Sequence, residues 1–293
     1  MKILISVDIE GASGIVTGRE TAIPYRYVND PEETFDYHTG QRWVTADVNA
    51  AVEGAIEAGA TEFVVHDSHG LDYRNLLMDE LHPSVEVVRG MPIIFYEFED
   101  LDPSYDAAFM IAMHAAPGEP GVLSHALDWP LLREVRVNGR PVGESQITAA
   151  LAGYYDIPTV LITGDDLVCE DMKNWTGGQI ETAVVKKSLS RYCGRCLPLQ
   201  KAWDLIRESA QRAVERIDEF EPFRFESPTT LEITLVDRQI AWYASWMPQV
   251  EYDGAYTVRY TDKDFLNVYK VMMAIFWIAE SKMNIFAPGT TAR

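Results

Sequence analysis

Short apolar runs that break off into polar chemistry constrain this chain more than any other feature. Ile3-Leu4-Ile5 leads into "SVDIEGASG", Phe63-Val64-Val65 into "HDSHG", Ala107 to Met113 into "HAAPGEPG", and Thr159-Val160-Leu161-Ile162 into "TGDD". Continuous apolar runs of this kind, bounded by turn formers, read as strands buried on both faces, the habit of a parallel sheet. Between the first two, Val44, Val48, Ala51, Val52, Ala55 and Ile56 recur at helical spacing from about Gln41 to Ala58. Gly59 then supplies a left-handed cap. Alternation of strand and helix predicts an α/β fold, a largely parallel sheet flanked by helices.

Further along the pattern changes. "REVRVNGRPVGE" predicts a hairpin, because Asn138-Gly139 supplies the positive φ angles of a tight two-residue turn, and its exit leads into a helix beginning near Gly143. Beyond Leu197-Pro198 come an amphipathic helix (Ala202 to Ile217), a turn-rich stretch, a strand (Leu231 to Leu235) and an Ala/Trp-rich helix near Ile240. A strand near Tyr256 to Tyr260 and a terminal helix from about Asp262 to Glu280 follow. The expected organisation is an α/β domain over residues 1–197, a smaller C-terminal α+β domain over 198–282 and a flexible tail over 283–293.

Charge and composition exclude several function classes. With 45 acidic against 25 basic residues the formal charge is -20, so the protein repels a phosphate backbone and gains little from counterion release. Nucleic acid and anionic membranes are therefore not expected partners. No stretch reaches the roughly 18 apolar residues of a membrane span, and the acids of "MKILISVDIEG" interrupt any signal-peptide core, so the expected location is cytoplasmic. Cys169, Cys193 and Cys196 cannot all pair within one chain, which fits a reducing compartment. Cys193 and Cys196 have the spacing of half a zinc clip or a redox pair, but no second pair exists.

The chemistry stands at the strand ends: Asp8 and Glu10; His66, Asp67 and His69; then His114, with His125 a short loop later. In open parallel sheets ligands bind beyond the carboxyl ends of the strands, so these side chains are expected to converge. Asp8 and Glu10, two apart on an extended segment, point the same way. Two carboxylates in a crevice repel unless a cation joins them. Acids and imidazoles together read as a metal site. Each residue also has an ordinary reading: a strand-end acid caps a helix, His69 serves a turn, and His66, the last strand position, packs. His114, ending an apolar run, must find a hydrogen-bond partner or a metal. Asp67 either orients a ligand ring or caps a loop. Asp165 either touches substrate or caps a helix, and Lys186 either points into the crevice or carries a solvated charge. "GASG" matches neither a dinucleotide fingerprint nor a phosphate loop.

"SVDIEGASG", "HDSHG", "HAAPGEPGVLSHAL" and "VNGRPVGE", in this order, resemble the D-aminopeptidase (DppA, M55) family of metallopeptidases from Met1 to beyond Tyr260. The resemblance implies two zinc ions held by Asp8, Glu10, His69, His114 and Glu144; the mix of carboxylates and imidazoles itself suits manganese or cobalt as well. It places His125, in the "SHAL" motif, in a catalytic role. Glu144 enters through the resemblance alone; its position at a helix start suits an ordinary first-turn acid. The family also implies short peptides or amino acid amides as substrates, a preference for D-residues, and ring-like homo-oligomers, a decamer among them. The stretch 21–38 looks longer than the family pattern. Rival readings are another metal-dependent amidohydrolase on the same scaffold, or a metal- or peptide-binding protein without turnover.

Overall fold

The apolar runs become strands buried on both faces because helices or a second sheet cover each side. The computed structural model describes residues 1–21, 31–70, 73–90, 98–127 and 131–286. Its larger sheet runs, in spatial order, β3 (Val85–Val88), β2 (Glu62–Asp67), β1 (Lys2–Val7), β4 (Ala107–Met113), β7 (Thr159–Asp165), β8 (Glu181–Ser190) and β9 (Cys193–Cys196). All neighbours pair in parallel except β8 and β9.

Side-chain alternation along β1 divides the core. Ile3, Ile5 and Val7 pack with Val44, Val48 and Val52 of α1 (Pro31–Glu57) and with Ile206 and Ala210 of α4 (Leu199–Glu215). Leu4 turns to the opposite face. There it joins α2 (Glu144–Tyr154) and α6 (Phe265–Phe286), together with a five-stranded antiparallel sheet. That sheet runs β11 (Glu251–Tyr252), β12 (Thr257–Asp262), β10 (Thr229–Leu235), β5 (Leu132–Val137) and β6 (Arg140–Pro141). Each fully buried aliphatic side chain contributes about 1.5–3 kcal/mol, and β4 is buried along its whole length. Two further helices, α3 (Asp166–Trp175) and α5 (Arg238–Ala244), complete the set.

The expected turn lies between β5 and β6, with Asn138 at φ 51° and Gly139 at φ 79°. Helix α1 starts ten residues earlier than its apolar spacing shows, at Pro31, whose fixed φ suits a first helical turn. The antiparallel sheet takes β5 and β6 from before residue 197 and β10 to β12 from after it. A division of the chain at 197/198 thus passes through a sheet. Helix α6 continues to Phe286; of the expected tail, residues 287–293 lie outside the described residues, as do 22–30 of the stretch 21–38. Among the described residues no helix is long and apolar enough to cross a membrane.

Candidate metal centre

The strand order fixes where a site can form. From β1 the chain moves one way to β2 and β3, then returns to β4 on the other side of β1 and continues to β7 and β8. Between β1 and β4 the direction reverses, the point at which the loops of open α/β sheets part and ligands bind. Asp8 follows β1, His69 lies just past β2, and His114 follows β4 directly. Glu144 is the first residue of α2 and His125 belongs to the loop after β4.

These residues, far apart in sequence, meet. His69 Nδ1 lies 2.9 Å from Asp8 Oδ1 and 3.1 Å from Glu10 Oε2. His114 Nε2 lies 3.5 Å from Asp8 Oδ2 and 3.4 Å from Glu144 Oε1. His125 Nε2 is 3.8 Å from Glu10 Oε1 and 4.0 Å from Glu144 Oε1, and its ring stacks on His114 with centroids 4.2 Å apart. Among the described residues three overlapping groups result, Asp8–Glu10–His69, Asp8–His114–Glu144 and Glu10–His114–His125, each with potential ligand atoms within 4.8 Å of one another. Depth sorts them. The side chains of His114, Asp8 and Glu144 are 1%, 5% and 6% exposed, whereas Glu10, His69 and His125 are 12–13% exposed and form the accessible rim.

Protonation follows from the surroundings. Burial alone would lower the pKa of His69, but the charge of Glu10 and the hydrogen bond to Asp8 outweigh it and hold the imidazole well above its ordinary value. Burial is likewise overcome at His114, chiefly by Glu144 and then Asp8. The partners answer in kind: against burial, His69 holds Asp8 low and His114 holds Glu144 low. The pocket thus demands positive charge. Among the described residues Asp8 Oδ2 and His114 Nε2, both buried, make no hydrogen bond and have each other and, around the imidazole, Glu144 Oε1 and Glu10 Oε2 as charged neighbours, at 3.4–3.8 Å, an arrangement that a bound cation would satisfy better than the imidazole does. Carboxylate oxygens mixed with imidazole nitrogens suit zinc and its first-row neighbours. The other imidazole nitrogens are occupied: His114 Nδ1 donates to Ala115 O (3.0 Å) and His125 Nδ1 to Leu123 O (2.7 Å), turning each Nε2 toward the carboxylates.

Local backbone holds this arrangement. Ala112, near the end of β4, takes φ 63° and the pairing of β4 with β7 shifts register between Met110 and Met113. This bulge re-aims the chain just before His114. Three bonds fix it: Asp8 N–H donates to Ile111 O (3.1 Å), Gly11 N–H to Ala112 O (2.7 Å), and Ala112 N–H to Thr163 Oγ1 (2.8 Å). Thr163→Val, nearly isosteric, strips the buried Ala112 N–H of its acceptor. It is expected to lower unfolding free energy by about 1–3 kcal/mol, read from urea denaturation; an unchanged midpoint would show that the bulge holds without that bond.

The remaining candidates sit behind the ligand atoms. Asp67 spends both oxygens on the following loop, accepting from Asn75 N and Nδ2 (2.6 Å each) and Leu76 N (2.9 Å); Asn75 Nδ2 in turn donates to His69 O (2.8 Å). It therefore steadies the segment carrying His69 and leaves the His69 ring to Asp8 and Glu10. Asp165 caps α3 through Val168 N–H (2.8 Å) and accepts from Val122 N–H (3.0 Å) and Ser188 Oγ (2.8 Å), tying down the loop that leads to His125. Lys186 is buried, with its ammonium on backbone carbonyls of the segment after β1. His66 packs edge-on against Phe98 (5.9 Å), and burial presses its pKa to about 4, so it is neutral. Sequence reasoning missed Thr163, whose bond to Ala112 spans 51 residues, and Asn75, whose bonds to Asp67 and His69 O span six to eight residues of the loop after β2, which no periodicity marks.

A parallel sheet with acids and imidazoles collected at its switch point has the parts of a metal-dependent hydrolase, and the comparisons with known proteins place the chain in that class. The model of the D-aminopeptidase family, Peptidase M55, matches residues 1–274, and the chain belongs to that family. A D-aminopeptidase of Bacillus subtilis (strain 168) is 32% identical over 286 residues, covering 95% of this chain and 98% of the relative. A solved structure, described as the Zn-dependent D-aminopeptidase DppA from Bacillus subtilis, a self-compartmentalizing protease, superposes with a TM-score of 0.87 at 31% identity. It covers 96% of this chain and 98% of the other.

Proposed function

We propose that this protein is a two-zinc aminopeptidase that releases N-terminal D-residues from short peptides or amino acid amides, with Asp8, Glu10, His69, His114 and Glu144 as zinc ligands. One observation carries the reading: Asp8 turns Oδ1 to His69 and Oδ2 to His114, so a single carboxylate serves two ligand groups at once. Glu10 and His69 complete one group, His114 and Glu144 the other. When bound, zinc supplies Lewis-acid polarisation of the scissile carbonyl and a lowered pKa for water. The chain's own groups do the rest. Glu144 Oε1 is aimed by the backbone N–H of Leu127, at 2.7 Å. His125, with Nδ1–H held by Leu123 O, keeps Nε2 free to move a proton or stabilise the oxyanion. Substrate approaches from the rim of Glu10, His69 and His125.

D-specificity is carried over from the description of the Bacillus subtilis D-aminopeptidase, and zinc from that of the solved Bacillus subtilis structure. The self-compartmentalizing description of that structure extends the proposal to a closed homo-oligomer that admits short peptides. Zinc content of the purified protein should be two ions per chain. Hydrolysis of D-alanyl amides and D-Ala-containing dipeptides should stop on chelation and return with zinc, while the L-isomers turn over more slowly. Chelator-resistant turnover would overturn the metal reading; preference for L-substrates would overturn the stereochemical one.

A further inference from the structure

Lys186 of β8 is 1% exposed, an unusual place for a lysine. Its Nζ donates to three backbone carbonyls: Glu10 O at 2.8 Å, Ala12 O at 3.0 Å and Ile15 O at 2.7 Å. An ammonium has three N–H donors and accepts nothing, so these carbonyls use it completely. The buried carboxylates Asp165 and Asp47 act on it through charge alone. Asp47, on α1, meanwhile accepts the backbone N–H of Ser13 at 2.8 Å. The segment 10–15 is thus pinned by a cation on its carbonyls and an anion on one of its amides. Burial lowers the Lys186 pKa only to about 8, so the ammonium is charged at neutral pH.

The pinned segment begins with Glu10, the only one of its residues whose side chain reaches the ligand groups. The carbonyls converge on one point, which suits a compact ammonium and not the planar fork of an arginine. We propose that Lys186 is a positioning residue: by fixing the Glu10 backbone it sets the affinity of the zinc position at the rim, while the deeper Asp8–His114–Glu144 position does not depend on it. This rests on the two-zinc reading above.

The test uses full-length wild type, Lys186→Met, the double variant Lys186→Met/Asp47→Asn, and Ile233→Ala as a control in the antiparallel sheet. Zinc stoichiometry and affinity are read by competition with a chromophoric chelator, and stability by urea unfolding. Lys186→Met should lose stability and bind one of its two zinc ions about 10- to 100-fold more weakly, the range typical of lost outer partners. The double variant removes one of the two buried charges that lose their counter-charge, that of Asp47, and leaves Asp165; the asparagine oxygen can still accept from Ser13. It should recover part of the lost stability yet keep the weakened zinc position. It also carries the test if Lys186→Met alone does not fold. Ile233→Ala should lose stability with both zinc affinities intact. Undiminished zinc affinity in either Lys186 variant, or zinc affinity that returns together with stability in the double variant, overturns the proposal and leaves a charge-balance role. A wild-type protein that takes up no zinc overturns the metal reading and this proposal with it; a two-zinc wild type beside an undiminished Lys186→Met overturns this proposal alone.

Discussion

Gly11→Ala is expected to cut zinc-dependent turnover on the order of 10²-fold while most of the fold survives. A Cβ at position 11 would fall 1.9 Å from Met113 O and 2.3 Å from the carbonyl carbon of Ala112. Both are backbone atoms of the bulge, so no side chain can rotate out of the way. Retreat is blocked as well, because Gly11 N–H already donates to Ala112 O at 2.7 Å. From the other side Gly164 meets the same Met113 carbonyl, where a Cβ would lie at 2.2 Å. The bulge is therefore clamped between two glycines, and Glu10 and His114 are their immediate dependants. Separating those ligands by about 1 Å costs on the order of 10²-fold in rate, and overpacking of this kind costs about 1–3 kcal/mol of stability. Zinc content and D-alanyl amide hydrolysis measure the first effect, urea unfolding the second. Wild-type zinc content in a folded Gly11→Ala protein would show that the bulge does not govern the ligand spacing.

Gly11 also marks the limit of what the sequence discloses. It lies within "GASG", which fits no phosphate or dinucleotide loop, and its use becomes visible only when β4 is laid beside β1. The parallel strands were legible because burial on both faces leaves long apolar runs: Ala107 to Met113 is strand from end to end. Strand β8 was not, since "ETAVVKKSLS" carries two lysines, and nothing local shows that Lys186 turns inward to carbonyls 171 to 176 residues away. Helix α3 was legible only through the capping alternative for Asp165, since the polar start "DDLVCED" shows no apolar period, and Asp165 does cap it. Strand-end chemistry alone predicted that acids and imidazoles meet, but it grouped His66 and Asp67 with His69, and the family resemblance singled out Asp8, Glu10, His69 and His114. Glu144 was not legible from its position, because a first-turn acid of a helix looks the same whether or not it faces a cation. In the fold its buried carboxylate lies 3.4 Å from His114 Nε2, a contact no local pattern discloses.

His125→Ala should retain both zinc ions and lose about 10²–10⁴-fold in kcat, the span associated with removal of a proton-transfer group. The ring is well placed for that work and poorly placed for an idle one. Leu123 O accepts from Nδ1–H, which leaves the Nε2 lone pair directed at the rim, and stacking on His114 at an interplanar angle of 8° fixes the plane. Leu123 itself adopts φ 54°, a conformation that a leucine tolerates only when its surroundings hold it. Its N–H is held by Arg191 O at 2.8 Å. Because His125 also belongs to the Glu10–His114–His125 group, the variant decides between two roles. A ligand takes zinc with it when removed; a group acting on substrate takes turnover and leaves zinc behind. Turnover unchanged with zinc bound would remove His125 from the chemistry, and loss of one zinc in step with activity would make it a ligand. The pH profile then divides what remains: a proton donor removed by the alanine abolishes one limb of the kcat profile, whereas a lost oxyanion partner lowers the whole profile without changing its shape.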